Sequence, residues 1–209
     1  MIDIEMYIKN PCRESALPYW KEKDIKLPVN MKVLHEEDFD DIFLENYNDV
    51  PYFRLLHSMD IINNELIDGY YIKTATIDDI TIIVDIINKS YLDISVTKEQ
   101  IYSYTHTQVY NKDLWILVYD KETNEVVGCG IADVDNEIQE GILEWIQVLP
   151  QYRNKGIGKF IVNELLRRMR NIAKFVTVSG QVENKTNPEG LYRKCGFKGK
   201  DIWHVMQRK

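Results

Sequence analysis

Between Leu149-Pro150 and a long stretch of helical apolar spacing, the chain reads Gln151-Tyr152-Arg153-Asn154-Lys155-Gly156-Ile157-Gly158-Lys159. Two glycines one residue apart, ringed by Arg153, Lys155 and Lys159, are residue types suited to holding an anion. If a strand precedes this turn and a helix follows it, the turn presents unpaired backbone N–H groups at the positive end of the helix dipole. Gly156 and Gly158 would let the backbone approach phosphate oxygens with no Cβ in the way. The chemistry implied is a cradle for a diphosphate. A nucleoside-triphosphate loop would need GxxxxGK[ST], and here Lys159 is followed by Phe160. A dinucleotide turn would need a third glycine or alanine, and Ile161 stands there. Arg167, Arg168, Arg170 and Lys174 extend the local basic character.

A second group lies downstream, in Asn187-Pro188-Glu189-Gly190-Leu191-Tyr192-Arg193-Lys194-Cys195-Gly196-Phe197. The Tyr192 phenol could donate a proton to a leaving group, or simply pack an amphipathic helix against a sheet. Two carboxylates, Glu140 and Glu144, fall in or beside the apolar run 141–148. Alternation places Ile142, Glu144 and Ile146 on one face, with Leu143, Trp145 and Gln147 on the other. A carboxylate inside such a strand is costly unless it is paired or solvated in a cleft. Either acid could therefore serve as a base or stand ion-paired at a strand edge. His35, His57, His106 and His204 show no metal-ligand spacing, and no nucleophilic serine or cysteine stands beside a histidine in a motif. Cys12, Cys129 and Cys195 include no CxxC pair and read as thiols in a reducing compartment, with Cys195 as buried packing.

The elements that must position these residues follow from spacing. Gly69–Thr74 reads as a strand. Thr76 caps a helix that carries Asp78 and Asp79 in its first turn and the stripe Ile80, Ile83, Val84, Ile87, ending near Ser90. Thr97 caps a second helix. Leu114–Tyr119 and Val126–Val134 form a hairpin through the polar turn Asp120–Glu125. Gly141–Val148 is a long strand, Ile157–Ile172 a periodic helix, Phe175–Val182 a strand, Pro188–Cys195 a short helix and Phe197–Met206 a last strand. This order predicts an α/β fold with antiparallel neighbours, of mixed α+β type. Prolines at 11, 18, 28 and 51 and then none until Pro150 divide the chain near Asp68-Gly69. In residues 1–69, an extension or small α/β subdomain, Met31–His35 reads as a strand, Glu36–Tyr47 as a helix and Phe53–Met59 as another.

Arg153 to Gly158 spells RxxGxG between strand and helix, and Asn187–Phe197 places a Leu-Tyr pair on a short helix that ends at Gly-Phe. Together, about one helix and one strand apart, these resemble the GNAT superfamily of N-acetyltransferases, from about Tyr70 to Lys209. The resemblance implies a splayed central sheet over residues 70–209. Main-chain groups of Ile146 and Val148 would pair with the pantetheine arm of acetyl-CoA, across from Phe175–Val182. Arg153, Asn154, Lys155, Gly156, Gly158 and Lys159 would hold the diphosphate. Asn187 would meet the pantetheine, with Asn184 its competitor, and Gly190 stands where such proteins more often have alanine. Tyr192 would protonate the departing thiolate, and Glu144, or else Glu140 or a water, would take the amine proton. Transfer would run directly from acetyl-CoA to a primary amine in a ternary complex, with no metal. The acceptor could be a small molecule or a protein N-terminus, and Tyr102, Tyr104, His106 and Tyr110 would edge its pocket or pack the core. A homodimer is compatible with this reading. A non-catalytic acyl-CoA sensor or regulatory module is the competing reading.

Composition narrows the classes. The formal net charge of −7 disfavours nucleic acid as a partner, because phosphates need a basic surface. Acidity could draw in a cationic acceptor or only keep the protein soluble. No run of about 18 apolar residues could span a bilayer, and Met1–Asn10 already carries Asp3, Glu5 and Lys9. The expectation is a cytoplasmic protein with no membrane association.

Overall fold

The computed structural model describes residues 2–63, 67–91 and 94–209. Its chain divides into two compact units, residues 59–174 and residues 1–58 together with 175–209. Among the described residues the helices are α1 (Ile4–Lys9), α2 (Pro11–Glu14), α3 (Tyr19–Glu22), α4 (Ile80–Ser90), α5 (Lys98–Tyr104), α6 (Ile157–Met169) and α7 (Pro188–Lys194). The strands are β1 (Met31–His35), β2 (Tyr47–His57), β3 (Tyr70–Thr74), β4 (Trp115–Asp120), β5 (Val126–Asp135), β6 (Glu140–Val148), β7 (Phe175–Gln181) and β8 (Lys198–Arg208). This is the α/β order that the sequence predicts from Tyr70 onward.

In the unit of residues 59–174, β3, β4, β5 and β6 pair antiparallel in chain order. Thr76 caps not α4 itself but a 3₁₀ turn, Ile77–Asp79, that leads into α4 at Ile80, and its N–H and hydroxyl both donate to Asp79 Oδ2 at 2.8 and 2.9 Å. Thr97 and Gln100 make a reciprocal cap for α5, each backbone N–H donating to the other's side-chain oxygen. Ile80, Ile83 and Ile87 of α4 and Ile101 of α5 are buried with Trp115, Leu117, Cys129 and Ile131 from the sheet. α6 covers Gly128 and Gly130 with Ile161 and Leu165. Its last helical residue is Met169, three short of the predicted end.

In the other unit, β2 lies between β8 and β7, and β1 pairs the far side of β8, all antiparallel. Two expectations fail here. Phe53–Met59 is not a helix: Tyr47–His57 is an eleven-residue strand paired on both edges. A run such as Phe53–His57, buried at four of its five positions, carries no period that separates a central strand from a buried helix. Glu36–Tyr47 is not one helix either, but two 3₁₀ turns at Glu36–Asp38 and Asp41–Glu45. Side chains take the backbone donors instead, Glu37 N–H to His35 Nδ1 at 3.2 Å and Ile42 N–H to Asp40 Oδ1 at 2.9 Å.

Candidate active site

β6 leads into the glycine turn, and its pairing with β5 is interrupted once. Ile131 stands opposite Trp145 and Ala132 opposite Leu143, so Glu144 is an extra residue in β6, a β-bulge. One added residue reverses the alternation that follows it. The predicted faces are therefore corrected: Ile142 shares a face with Trp145 and Gln147, opposite Asp133, Ile131 and Cys129. Leu143 shares the other with Ile146 and Val148, opposite Ala132, Gly130 and Gly128.

Beyond the bulge, the Leu149 N–H donates to Val127 O at 2.9 Å. Hydrogen-bonded and non-bonded pairs alternate along an antiparallel ladder. Gln147 is then bonded to β5, while the main-chain groups of Ile146 and Val148 point away from it. These are the two residues expected to offer backbone to a pantetheine arm.

The chain then turns through a 3₁₀ segment at Pro150–Tyr152, started by the ring of Pro150. Asn154 and Gly156 adopt left-handed conformations, φ 62° and φ 84°. Gly156 is the N-cap of α6, and no side chain caps that end. The amides of the first helical turn, at Ile157, Gly158 and Lys159, have no acceptor within the helix. A left-handed cap followed by such amides is a concave ring of donors suited to an anion. Lys155 Nζ lies 4.9 Å from the Tyr152 ring centre. The Tyr152 phenol is pushed up by desolvation and by Glu125 and Asp120 in the turn after β4. Farther along α6 the basic side chains are occupied: Arg167 and Arg168 both bond Glu164, at 2.8 and 2.7 Å.

Arg153 is turned inward. Its Nε donates to Val148 O at 3.2 Å and its Nη2 to Ser90 O at 2.7 Å. Nearby, Gln147 Nε2 donates to Tyr91 OH at 3.0 Å, and the Tyr91 ring stands edge-on to Trp145. Neither tie was foreseen, and only the clustering of Tyr91 just past a helix end could have hinted at one.

The two acids part company. Glu144 is two residues before Ile146 and half-buried. Glu140 is fully buried, opposite Asp135 at the start of the strand. Eight residues of strand, about 26 Å, separate it from Val148. Of the aromatic residues after α5, Tyr104 and Tyr110 pack on the core, with Tyr110 edge-on to Trp115. Tyr102 is exposed, and its ring is 4.7 Å from that of His106.

The remaining expected residues lie in the other unit. Tyr192, on α7, is 7% exposed, with its ring 6.2 Å from Phe53 and 5.7 Å from Phe197. Asn187 is the left-handed N-cap of α7, and its Oδ1 accepts the Gly190 N–H at 3.0 Å. A Cβ at Gly190 would lie 2.8–3.0 Å from the Asn187 amide group, too close unless that side chain shifts. Asn184 is likewise engaged, accepting from the Thr186 N–H and hydroxyl. The three cysteines are buried, and burial pushes the Cys129 thiol up to about 12. Among the described residues, no group of three or more His, Cys, Asp or Glu could hold a metal ion, and no helix is long and apolar enough to cross a membrane.

A strand interrupted by a bulge, a turn with left-handed Asn154 and Gly156, and a helix with no side-chain cap thus follow one another without a break. Residues 111–199 match the family model of the acetyltransferase (GNAT) domain. A GCN5-related N-acetyltransferase from Sphaerobacter thermophilus aligns with TM-score 0.71 at 19% identity over 86% of this chain. This chain spans only 58% of that protein's length. A GNAT-family acetyltransferase from Colwellia psychrerythraea aligns with TM-score 0.64 at 14% identity, over 91% of this chain and 69% of its own. The ribosomal-protein-S18-alanine N-acetyltransferase of Escherichia coli aligns with TM-score 0.53 at 15% identity, over 66% of this chain and 93% of its own. These likenesses establish the fold as that of the GNAT acyl-CoA N-acyltransferases. No curated protein matches the chain.

Proposed function

We propose that this protein transfers the acetyl group of acetyl-CoA directly to a primary amine. The observation that carries the proposal is the continuous run from Ile146 to Lys159. Outward main-chain groups at Ile146 and Val148 lead into the left-handed Asn154 and Gly156 and the uncapped amides of α6. The pantetheine would pair with Ile146 and Val148, and also meet Asn187. The diphosphate would sit on the turn of Arg153, Asn154, Lys155, Gly156, Gly158 and Lys159. No step needs a metal.

In the reaction, the neutral amine attacks the thioester carbonyl, the C–N bond forms and the C–S bond breaks. The departing thiolate takes a proton from the Tyr192 phenol, and the amine gives one up to Glu144 or to water. Glu140 suits this less well, because it stands at the far end of β6 from the turn. The chemistry falls within residues 70–209, while residues 1–69 form an N-terminal extension that supplies β1 and β2. The acceptor class is an amine carried by a small molecule or a protein N-terminus. The setting proposed is cytoplasmic.

The test is thermal shift with acetyl-CoA, CoA, NAD and ATP, followed by an amine panel read by release of CoA thiol. At 100 times the dissociation constant a ligand stabilises by about 2.7 kcal/mol. For this chain length that is a rise of roughly 5–10 °C. Shifts confined to acetyl-CoA and CoA support the reading, and no shift with either sinks it. Tyr192→Phe should lower kcat by at least about a hundredfold while leaving acetyl-CoA affinity nearly intact. Binding without turnover on any amine would favour a coenzyme-sensing module instead.

A further inference from the structure

We infer that Arg153 is a positioning residue, which organises the coenzyme turn through the backbone instead of placing its charge on the phosphates. The inference rests on reading residues 146–159 as the coenzyme cradle.

Arg153 collects two carbonyls that the ends of neighbouring elements leave over. Val148 closes β6 in a position that points its C=O away from β5, so that oxygen needs another donor. Ser90 closes α4, and the last carbonyls of a helix have no partner within it. The guanidinium answers both, with Nε on Val148 O at 3.2 Å and Nη2 on Ser90 O at 2.7 Å. A cation at the negative end of α4 is also favoured by the helix dipole. A second tie runs beside the first, from Gln147 Nε2 to Tyr91 OH at 3.0 Å. Adjacent residues on β6, 147 and 148, are thus each linked to adjacent residues at the end of α4, 91 and 90.

Two consequences follow for the cradle. The Val148 N–H points away from β5, while its carbonyl is committed to Arg153. The turn is also anchored on both sides of its tightest part. Its start is closed by Tyr152 N–H to Leu149 O and Arg153 N–H to Pro150 O, and Arg153 fixes that closed segment to β6. The left-handed Asn154 and Gly156 then depart from a fixed point, so the α6 amides meet the diphosphate already aimed.

The experiment compares the unmodified protein with Arg153→Gln and Arg153→Lys. Binding is measured for acetyl-CoA and for S-acetylpantetheine, which lacks the diphosphate, at low and high salt. Amide exchange is followed in the ligand-free proteins. Losing one charge-assisted bond should weaken acetyl-CoA binding about tenfold in Arg153→Gln. S-acetylpantetheine should weaken by a similar factor, and the salt dependence of acetyl-CoA binding should stay unchanged. Arg153→Lys should recover little, because one ammonium nitrogen does not reproduce the separate Nε and Nη2 positions from which the guanidinium meets the two carbonyls. Exchange should quicken at residues 149–158 and in the last turn of α4. A loss confined to acetyl-CoA, with shallower salt dependence, rescue by lysine and unaltered exchange, would overturn the inference. If the unmodified protein binds neither thioester, the proposed function fails, and the exchange data still decide whether Arg153 holds the turn.

Discussion

At Gly190 the side chain that a helix ordinarily favours is excluded by the residue that starts the helix. By propensity alone Gly190→Ala should stabilise α7 by about 1 kcal/mol. The added Cβ would press on the Asn187 amide at 2.8–3.0 Å and break the cap. The expected outcome in urea melts is a loss of about 1 kcal/mol, with Asn187→Gly in the same chain recovering most of it. His204 makes a second prediction at this scale. Its Nδ1 lies 2.7 Å from Asp49 Oδ2, its Nε2 2.6 Å from Glu36 Oε2, and Phe39 stacks on it at 3.7 Å. Burial pulls its pKa down, but the hydrogen bonds and charges of Glu36 and Asp49 outweigh that and raise it. A raised native pKa gives stability that is fully present below the unfolded value of about 6.5 and is lost as pH climbs through the native one. His204→Gln should therefore cost about 1–3 kcal/mol at low pH, with the gap to the unmodified protein closing on the alkaline side. The glycine turn at Arg153–Gly158 and the short helix carrying Leu191-Tyr192 were legible, because their signals are contiguous in the sequence. Where Arg153 points was not, since Ser90 lies 63 residues away.

Among the elements, α6 depends on two glycines of β5 that offer no chemistry of their own. A Cβ at Gly128 would lie 2.7 Å from Gln147 O, a backbone atom of the strand that carries Ile146 and Val148. A Cβ at Gly130 would lie 2.5 Å from Ile161 Cγ2 and 3.1 Å from Leu165 Cδ1, both side-chain ends of α6. Overpacking of this kind costs about 1–3 kcal/mol. Gly128→Ala should be the worse of the two, because β6 must move where α6 need only adjust side chains. Melting curves for the two variants test that order, and acetyl-CoA affinity should fall further in Gly128→Ala. The hairpin of β4 and β5 and the caps at Thr76 and Thr97 were legible, since alternation and a threonine followed closely by acidic residues are local signals, though Thr76 caps the 3₁₀ turn ahead of α4. The Glu144 bulge was not, because one extra residue leaves no mark in composition and yet reverses the face of Ile146. The strand β2 was hidden for a related reason. Phe53–His57 is buried on both faces, with Arg54 and His57 among the buried positions, so no alternation separates it from a buried helix.

At the scale of the molecule, one unit is assembled from both ends of the chain. β1 and β2 come from residues 1–58, β7 and β8 from residues 175–209. β2 pairs with β7 from Tyr52 to His57 and with β8 from Tyr47 to Leu56. This was not legible beforehand, because pairing between distant strands is written in neither composition nor spacing. Fully buried Arg54 of β2 fastens the N-terminal helices to this sheet, donating to Ala16 O at 3.3 Å, Tyr7 OH at 2.9 Å and Ser179 Oγ of β7 at 3.1 Å. Removing residues 1–69 should therefore do more than strip an accessory segment. It takes out the strand to which both β7 and β8 are paired, and α7 with Tyr192 lies between those two in sequence. A chain of residues 70–209 should lose cooperative melting in near-UV circular dichroism and lose turnover with it. Residues 1–69 supplied in trans should restore both, because strand pairing does not require a continuous chain. A truncated protein that melts cooperatively and keeps its activity would instead make residues 1–69 a dispensable extension, and would limit the role of β2 to covering the edge of β7.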